Sequence, residues 1–478
     1  MDYGRKRARK YTFKIPQVEE LGKLGKLVVN PQAFKEKYGK LLPLLNTNMV
    51  DGILPTLVQF YDPTYHCFTF PDYQLMPTLE EYSRLIGIPV YAQDPYSGLE
   101  KNPDDIIIAA TTPLNVVDIR THMVSRGGIQ GLPSKFLFDQ ARYFASIQDM
   151  SAFEEVLALL IYGLFLFPNI NDFVDINAIK IFLIGNPVPT LLADAYHSVH
   201  SRNLQRGGLI TCCVPLLYEW FVSHLPKSST FWNMRDGLYW SQKIMSLTHT
   251  DIDWCSPDND ETKIIFSCGS FPNVPLIGTK GGISYNPALA RRQYGYPMKN
   301  IPSNIQLEGL FFKNIDDHGN MLKEEIVQAW RLVHSKGRRL LGKHLCISLD
   351  PYLQWVRVRA FKLWMPYQHQ EPIPLREPIY LFSTDVEKLQ AALNKVCQER
   401  NAWRNKYRIV NTENVEIQNI LRRKDELLEV LDRQVTQSSL SHHIPPASWI
   451  IDQLTSENAQ LKKQKKMLER EVGSSSKF

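Results

Sequence analysis

The chain has 478 residues, of which 44% are hydrophobic, 22% charged and 11% aromatic. That profile belongs to a folded protein and excludes a collagen-like, a wholly disordered or a membrane-bundle chain. The formal charge of +6 is uneven: residues 1–14 hold six basic residues against Asp2, residues from Asp385 onward hold sixteen Lys and Arg against thirteen Asp and Glu, and the body between is close to neutral. Single hydrophobic cores stop growing near roughly 250–300 residues, so more than one folded unit is expected.

The first element is the run Arg5-Lys6-Arg7-Ala8-Arg9-Lys10, which cannot bury itself and is expected to be solvated. It reads as a nuclear import signal for an import receptor, with a phosphate-contacting arm as the second option and a solubilising tail as the plain one. No apolar stretch follows it, so no secretory signal is expected. Seven cysteines, an odd count without regular spacing, point to a reducing compartment rather than a disulfide framework.

Two short extended runs, 66–70 and 73–76, flank the turn Pro71-Asp72 and predict a hairpin. Thr78-Leu79-Glu80-Glu81 is a capping box that starts a helix, which Gly87 and Pro89 end. Apolar residues at helical spacing predict helices over about 151–167, 190–203 and 209–225. The run Val156–Phe167 is too short for a membrane span, which needs about 20 residues, so no membrane partner is expected. Asp194, His197 and His200 share one helical side near Cys212 and Cys213. They are the weak metal candidates, but the spacing matches no zinc-protease helix, and a polar helix flank is the plainer use. No metal and no cofactor is expected.

Residues 226–275 are richer in Ser, Asp, Asn, Gly and Pro, and mark a division of the body into two lobes. Gly278-Thr279-Lys280-Gly281-Gly282 lacks the spacing of a phosphate loop and reads as a glycine turn. Asn286, Pro287 and Gly295 frame a predicted helix over 286–294. Arg331, Lys336, Arg338, Arg339 and Lys343, with Trp330 beside them, form the densest basic run of the body. They are a candidate nucleic-acid patch, or simply a solvated helix end.

From Val386 to Val435, steps of three and four residues meet an apolar side chain at twelve of fifteen positions, a coiled-coil pattern. A second seam runs from Ile451 to Val472 after the break Ser441-His442-His443-Ile444-Pro445-Pro446. Asn414 and Asn458 fall at a positions, where an amide meets its own copy in a parallel homodimer and sets the register. A long helix folded back on the body is the competing arrangement. For catalysis there is no G-x-S-x-G elbow and no cysteine signature, and the paired acids lie in polar loops.

Three stretches carry a resemblance: Cys67-Phe68-Thr69-Phe70 through Thr78-Leu79-Glu80-Glu81 to Gly87-Ile88-Pro89, then Leu191–Tyr196 with Gly207-Gly208 and Leu216–Trp220, and finally Trp364-Met365-Pro366-Tyr367. Together they resemble the plant mobile domain, a transposon-associated family also labelled "aminotransferase-like". The block Gly281–Pro287 and the trailing coil are similar to a plant domain-of-unknown-function group. The resemblance implies a mainly helical fold and nuclear or chromatin-related roles, and carries over no catalytic residue.

The expected fold is mainly α: a helical globular body with short β-hairpins, followed by a long C-terminal coiled coil. The expected order is a basic disordered tail at 1–14, the body at 15–383, coil at 384–437, a Pro/Ser/His break at 438–448, a second coil segment at 449–472 and a disordered tail at 473–478. The function expected is a non-enzymatic, transposon-derived nuclear protein that homodimerises through its coil in a chromatin or nucleic-acid assembly. A cytoplasmic enzyme with an unmarked pocket, or a cytoplasmic coiled-coil scaffold, are the alternatives.

Overall fold

Local signals set several of the helix ends. Thr78 accepts the Glu81 amide and Glu81 reaches back to the Thr78 amide, so the capping box starts the helix Leu79–Ile86, and Gly87 ends it at φ 75°. Asp149 and Asp175 accept amides at the starts of Met150–Ile161 and Ile176–Ile184. The computed structural model describes residues 9–90, 95–96, 102–233, 239–254, 263–313, 317–342, 348–363 and 365–366, with short stretches between 395 and 463. The chain divides into two units, Met1–Pro374 and Leu375–Phe478. Among the described residues no helix is long and apolar enough to cross a membrane.

The first unit is mainly helical, with strands of two to five residues between the helices. In chain order these are β1 Tyr11–Phe13, β2 Tyr61–Asp62, β3 Cys67–Thr69, β4 Gln74–Leu75, β5 Val124–Arg126, β6 Ile129–Pro133 and β7 Phe173–Asp175. There follow β8 Gly208–Ile210, β9 Ile264–Cys268, β10 Val274–Ile277, β11 Gly281–Tyr285, β12 Phe311–Lys313 and β13 Val333–Lys336. They pair as small sheets, β2-β3-β4, β5-β6-β7, β10-β11-β12, β9 with β13, and β1 with β8. At the centre runs the helix Val188–Leu204, buried over almost its whole length. It packs on β8, β10, β11 and the helix Leu79–Ile86, so its polar residues are inside the protein rather than on a wet flank.

Several expectations need correction. Residues 9–14 are not part of a free tail, because β1 pairs in parallel with β8, Tyr11 opposite Gly208 and Phe13 opposite Ile210. Gln59 clasps the Arg9 backbone from the other side. The body does not divide at 226–275, and the boundary falls at Pro374 instead of 383. Residues 226–275 are tied in by Trp240 and Trp254, both buried, and by β9, which pairs with β13. The predicted helix 209–225 is a strand, β8, followed by the helix Val214–Ser223. The predicted helix 286–294 shrinks to a single 3₁₀ turn, Leu289–Arg292. Asn286 does not cap it: its side chain donates to the Tyr65 carbonyl and accepts from Asn273.

In the second unit the described residues 419–430 and 455–460 are helical. Lys424 Nζ donates to Glu457 Oε2, and Asn458 Nδ2 donates to Asp425 Oδ1 at 2.6 Å. Each pair is separated by 33 residues, centred on the break at Ser441–Pro446. The two coil segments therefore meet within one chain. Within this chain the Asn458 amide meets Asp425. Asn414, and the tail at 473–478, lie outside the described residues.

Candidate functional site

The densest buried polar constellation is built on Glu81. Both its oxygens are occupied. Oε2 accepts from the Thr78 amide at 3.1 Å, the Thr78 hydroxyl at 2.8 Å and Trp220 Nε1 at 3.0 Å. Oε1 lies 2.9 Å from His224 Nε2, and Gln293 Nε2 reaches both oxygens. Trp220 and His224 stand one helical turn apart on Val214–Ser223 and its C-cap, so a single helix face presents both. Gln293 also exchanges hydrogen bonds with the Met76 backbone. Tyr294 bridges Thr78 and Glu80.

His224 holds a proton on each nitrogen, since Nδ1 faces the Asp253 carbonyl at 2.9 Å and Nε2 faces the carboxylate. Burial works against that charge, but the Glu81 carboxylate outweighs it and raises the His224 pKa. Burial alone would raise Glu81; His224, Thr78 and Gln293 hold it below the ordinary carboxylate range instead. Burial pushes neighbouring Glu80 up to about 7, against the hydrogen bonds from the Ile265 amide and Tyr294. The pair forms one wall of an open cleft of about 520 Å³, whose rim carries Lys40, Arg84, Glu219 and Lys227. A carboxylate with five donors making six contacts has no lone pair left to take a substrate proton. Its chemistry is to lock the helix Leu79–Ile86, the helix Val214–Ser223 and the 3₁₀ turn together.

The helix Val188–Leu204 carries the metal candidates. Asp194 accepts the Thr279 amide at 2.7 Å and its hydroxyl at 2.9 Å, pinning the β10–β11 turn. Burial raises it to about 6. His197 lies on the Phe311 ring; its Nε2 approaches the Phe312 carbonyl without a well-formed hydrogen bond. His200 turns to the Tyr61 hydroxyl at 3.3 Å and stacks edge-on with His66. Burial lowers His197 to about 4 and His200 to about 3. The two histidines share the Phe311 ring, while Asp194 turns to Thr279. No group of three His, Cys, Asp or Glu among the described residues is placed to hold a metal ion.

The basic run is scattered. Arg331 is exposed, while Lys336 lies over the Phe266 ring, 3.3 Å from its centroid. Arg338 and Arg339 belong to the short helix Arg338–Leu341, and Lys343 lies outside the described residues. Trp330 offers no stacking face: it is buried, its Nε1 donating to the Pro275 carbonyl. Of the import run, Arg5, Lys6 and Arg7 lie outside the described residues, and Arg9 and Lys10 lead into β1.

The capping box was readable as a helix start, yet the role of Glu81 was not. Trp220, His224 and Gln293 lie 139, 143 and 212 residues away, and no local pattern joins them. A family described as a domain of unknown function, DUF7745, matches residues 21–361. The chain belongs to this family. The Glu81 network and the histidines all lie inside the DUF7745 region, while β1 and the C-terminal unit lie outside it. The match identifies no enzyme family. No curated protein and no solved structure matches the chain.

Proposed function

We propose that this protein is a non-enzymatic nuclear protein of the plant-mobile-domain, transposon-derived kind, which presents its DUF7745 body on a self-associating C-terminal coiled coil. The observation that carries the non-enzymatic half is the saturation of Glu81. The buried carboxylate on the wall of the cleft is spent on holding three elements together. Self-association is supported by apolar surface left beyond the intrachain contact: Ile420, Leu427 and Val430 remain exposed on the described helix. A helix with apolar residues beside its seam suits a bundle of more than two helices. The nuclear half rests on Arg5, Lys6, Arg7, Arg9 and Lys10 as an import signal.

Two measurements test the reading. A reporter fused to the intact chain should enter the nucleus, and alanine at those five positions should keep it out; two cytoplasmic fusions would remove the nuclear half. Sedimentation equilibrium should give an oligomer for the full chain and a monomer for a chain ending at Pro374. A monomeric full chain at tens of micromolar would remove self-association. Turnover that is lost on closing the cleft with Ser223→Trp, without loss of stability, would favour the enzyme reading instead.

A further inference from the structure

Several basic side chains of the body are matched by acids. Lys23 meets Glu19 and Glu20, Arg120 meets Asp105, Arg142 meets Glu20 and Asp139, Lys227 meets Asp253 and Arg359 meets Asp62. One face gathers unpaired cations from several segments of the chain. The antiparallel register of β11 and β12 sets Lys313 directly opposite Gly281, beside Lys280 in the β10–β11 turn. Lys14 follows β1 and donates to the Asn169 carbonyl; burial and then the charge of Lys280 disfavour its own charge. At the other end of β1 the Lys10 carbonyl accepts from Gly208, and Arg202 lies over β8 with its Nε on the Leu209 carbonyl. Arg206 stands exposed in the turn before β8.

Among the described residues none of these six forms an ion pair. Two carboxylates of neighbouring elements, Asp194 and Asp175, are buried; Thr279 holds the first, and Asn169 and the start of a helix hold the second. Four separate segments thus deliver like charges to one face. Lys10 and Lys14 are four strand residues apart, roughly 13 Å, so the charges are spread as a track rather than clustered around one ion. Among the described residues of these segments no aromatic ring is fully exposed: Tyr11 and Phe312 are buried, and Phe13 and Phe311 are half-buried. A stacking platform for single strands is therefore missing.

The geometry points to this face as a binding surface for the phosphate backbone of duplex nucleic acid, holding it without reading bases. Such a surface needs cations at intervals and little else. The assignment replaces the 331–343 run, whose tryptophan is buried and whose Lys336 is folded onto Phe266. It is independent of the nuclear and self-association readings. Ile15, Leu204 and Leu209 are also exposed here, but three aliphatic side chains on three separate segments bury little in a bilayer, so anionic vesicles serve as the competing probe.

The test uses fluorescence anisotropy of a labelled, mixed-sequence DNA duplex of about three helical turns, titrated between about 50 and 200 mM salt. Full-length protein and a chain lacking residues 1–8 are each compared with Arg206→Gln/Lys280→Gln/Lys313→Gln. All three positions are exposed, and an unchanged thermal midpoint confirms folding. The slope of log K against log salt should fall by about three, one for each lost contact. Arg331→Gln/Lys336→Gln should leave the slope unchanged. No duplex binding by the wild type, an unchanged slope in the triple variant, or an equal loss in the control pair would overturn the assignment. So would binding to phosphatidylserine vesicles that the triple variant loses while duplex binding stays intact.

Discussion

Glu81 and His224 form a buried ion pair in which each partner keeps the other charged, and Trp220, Thr78 and Gln293 fill the remaining positions. Removing one member leaves the other buried and unpaired, which costs about 3–5 kcal/mol. Glu81→Ala should therefore lower the unfolding free energy by about that amount, read from the urea midpoint at constant m-value. An effect under about 1 kcal/mol would mean that water replaces the carboxylate. The other buried histidines act in the opposite sense. His66, His197 and His200 are held neutral, with folded pKa values below the ordinary 6.5. Between those values and 6.5 the unfolded chain binds more protons, so stability falls as pH falls. His224 has a raised pKa, so its contribution is complete below 6.5 and fades as pH rises through the folded value. Glu81, lowered, contributes above 4.5 and loses its share only on deeper acidification. Over the limb of the thermal-midpoint profile from about pH 7 to about pH 5 each neutral histidine removes up to about 2 kcal/mol, while Glu80 and Asp194, whose pKa values burial raises, return part of it. His200→Gln should flatten that limb, and a limb of the same steepness would exclude the histidine cluster as its origin.

Elements whose signals lie within a few residues were legible, and those made by distant partners were not. The hairpin before Thr78 and the helix after it emerge as expected, because turn, cap and Gly87 stop are all local. The Asn286-Pro287 pair looks like a helix start, yet β11 runs straight up to it and Tyr65 and Asn273 take the asparagine side chain. Strand β8 was hidden inside an apolar stretch because its partner β1 lies nearly two hundred residues earlier. The saturated carboxylate of Glu81 is likewise a product of tertiary structure. For β1 the consequence is measurable. Residues 1–8 precede the strand, whereas Tyr11 is buried, and burying one such side chain is worth about 1.5–3 kcal/mol. Deleting residues 1–8 should leave the thermal midpoint in place, and deleting residues 1–13 should lower it by several degrees. Equal midpoints would show that β1 adds nothing to the body.

At the scale of the whole chain the question is what the C-terminal segments pair with. In a parallel homodimer of continuous helices each residue faces its own copy, and positions 33 residues apart would be about 50 Å from each other. The structure instead joins Lys424 to Glu457 and Asn458 to Asp425, an arrangement centred on the Ser-His-Pro break. These two residue pairs are then used within the chain, and a second copy would dock on the flank carrying Ile420 and Leu427. A charge-swap cycle on the full chain separates these arrangements. Lys424→Glu places two acids together and Glu457→Lys places two bases together, so each alone should lower the temperature at which helical circular dichroism of the C-terminal unit is lost. The double variant restores an opposite pair and should recover most of the loss. That recovery should be independent of protein concentration, as an intrachain contact requires. Additive losses in the double variant would exclude the pairing and return the coil to the parallel homodimer. A recovery seen only at high concentration would place the two residues on different copies.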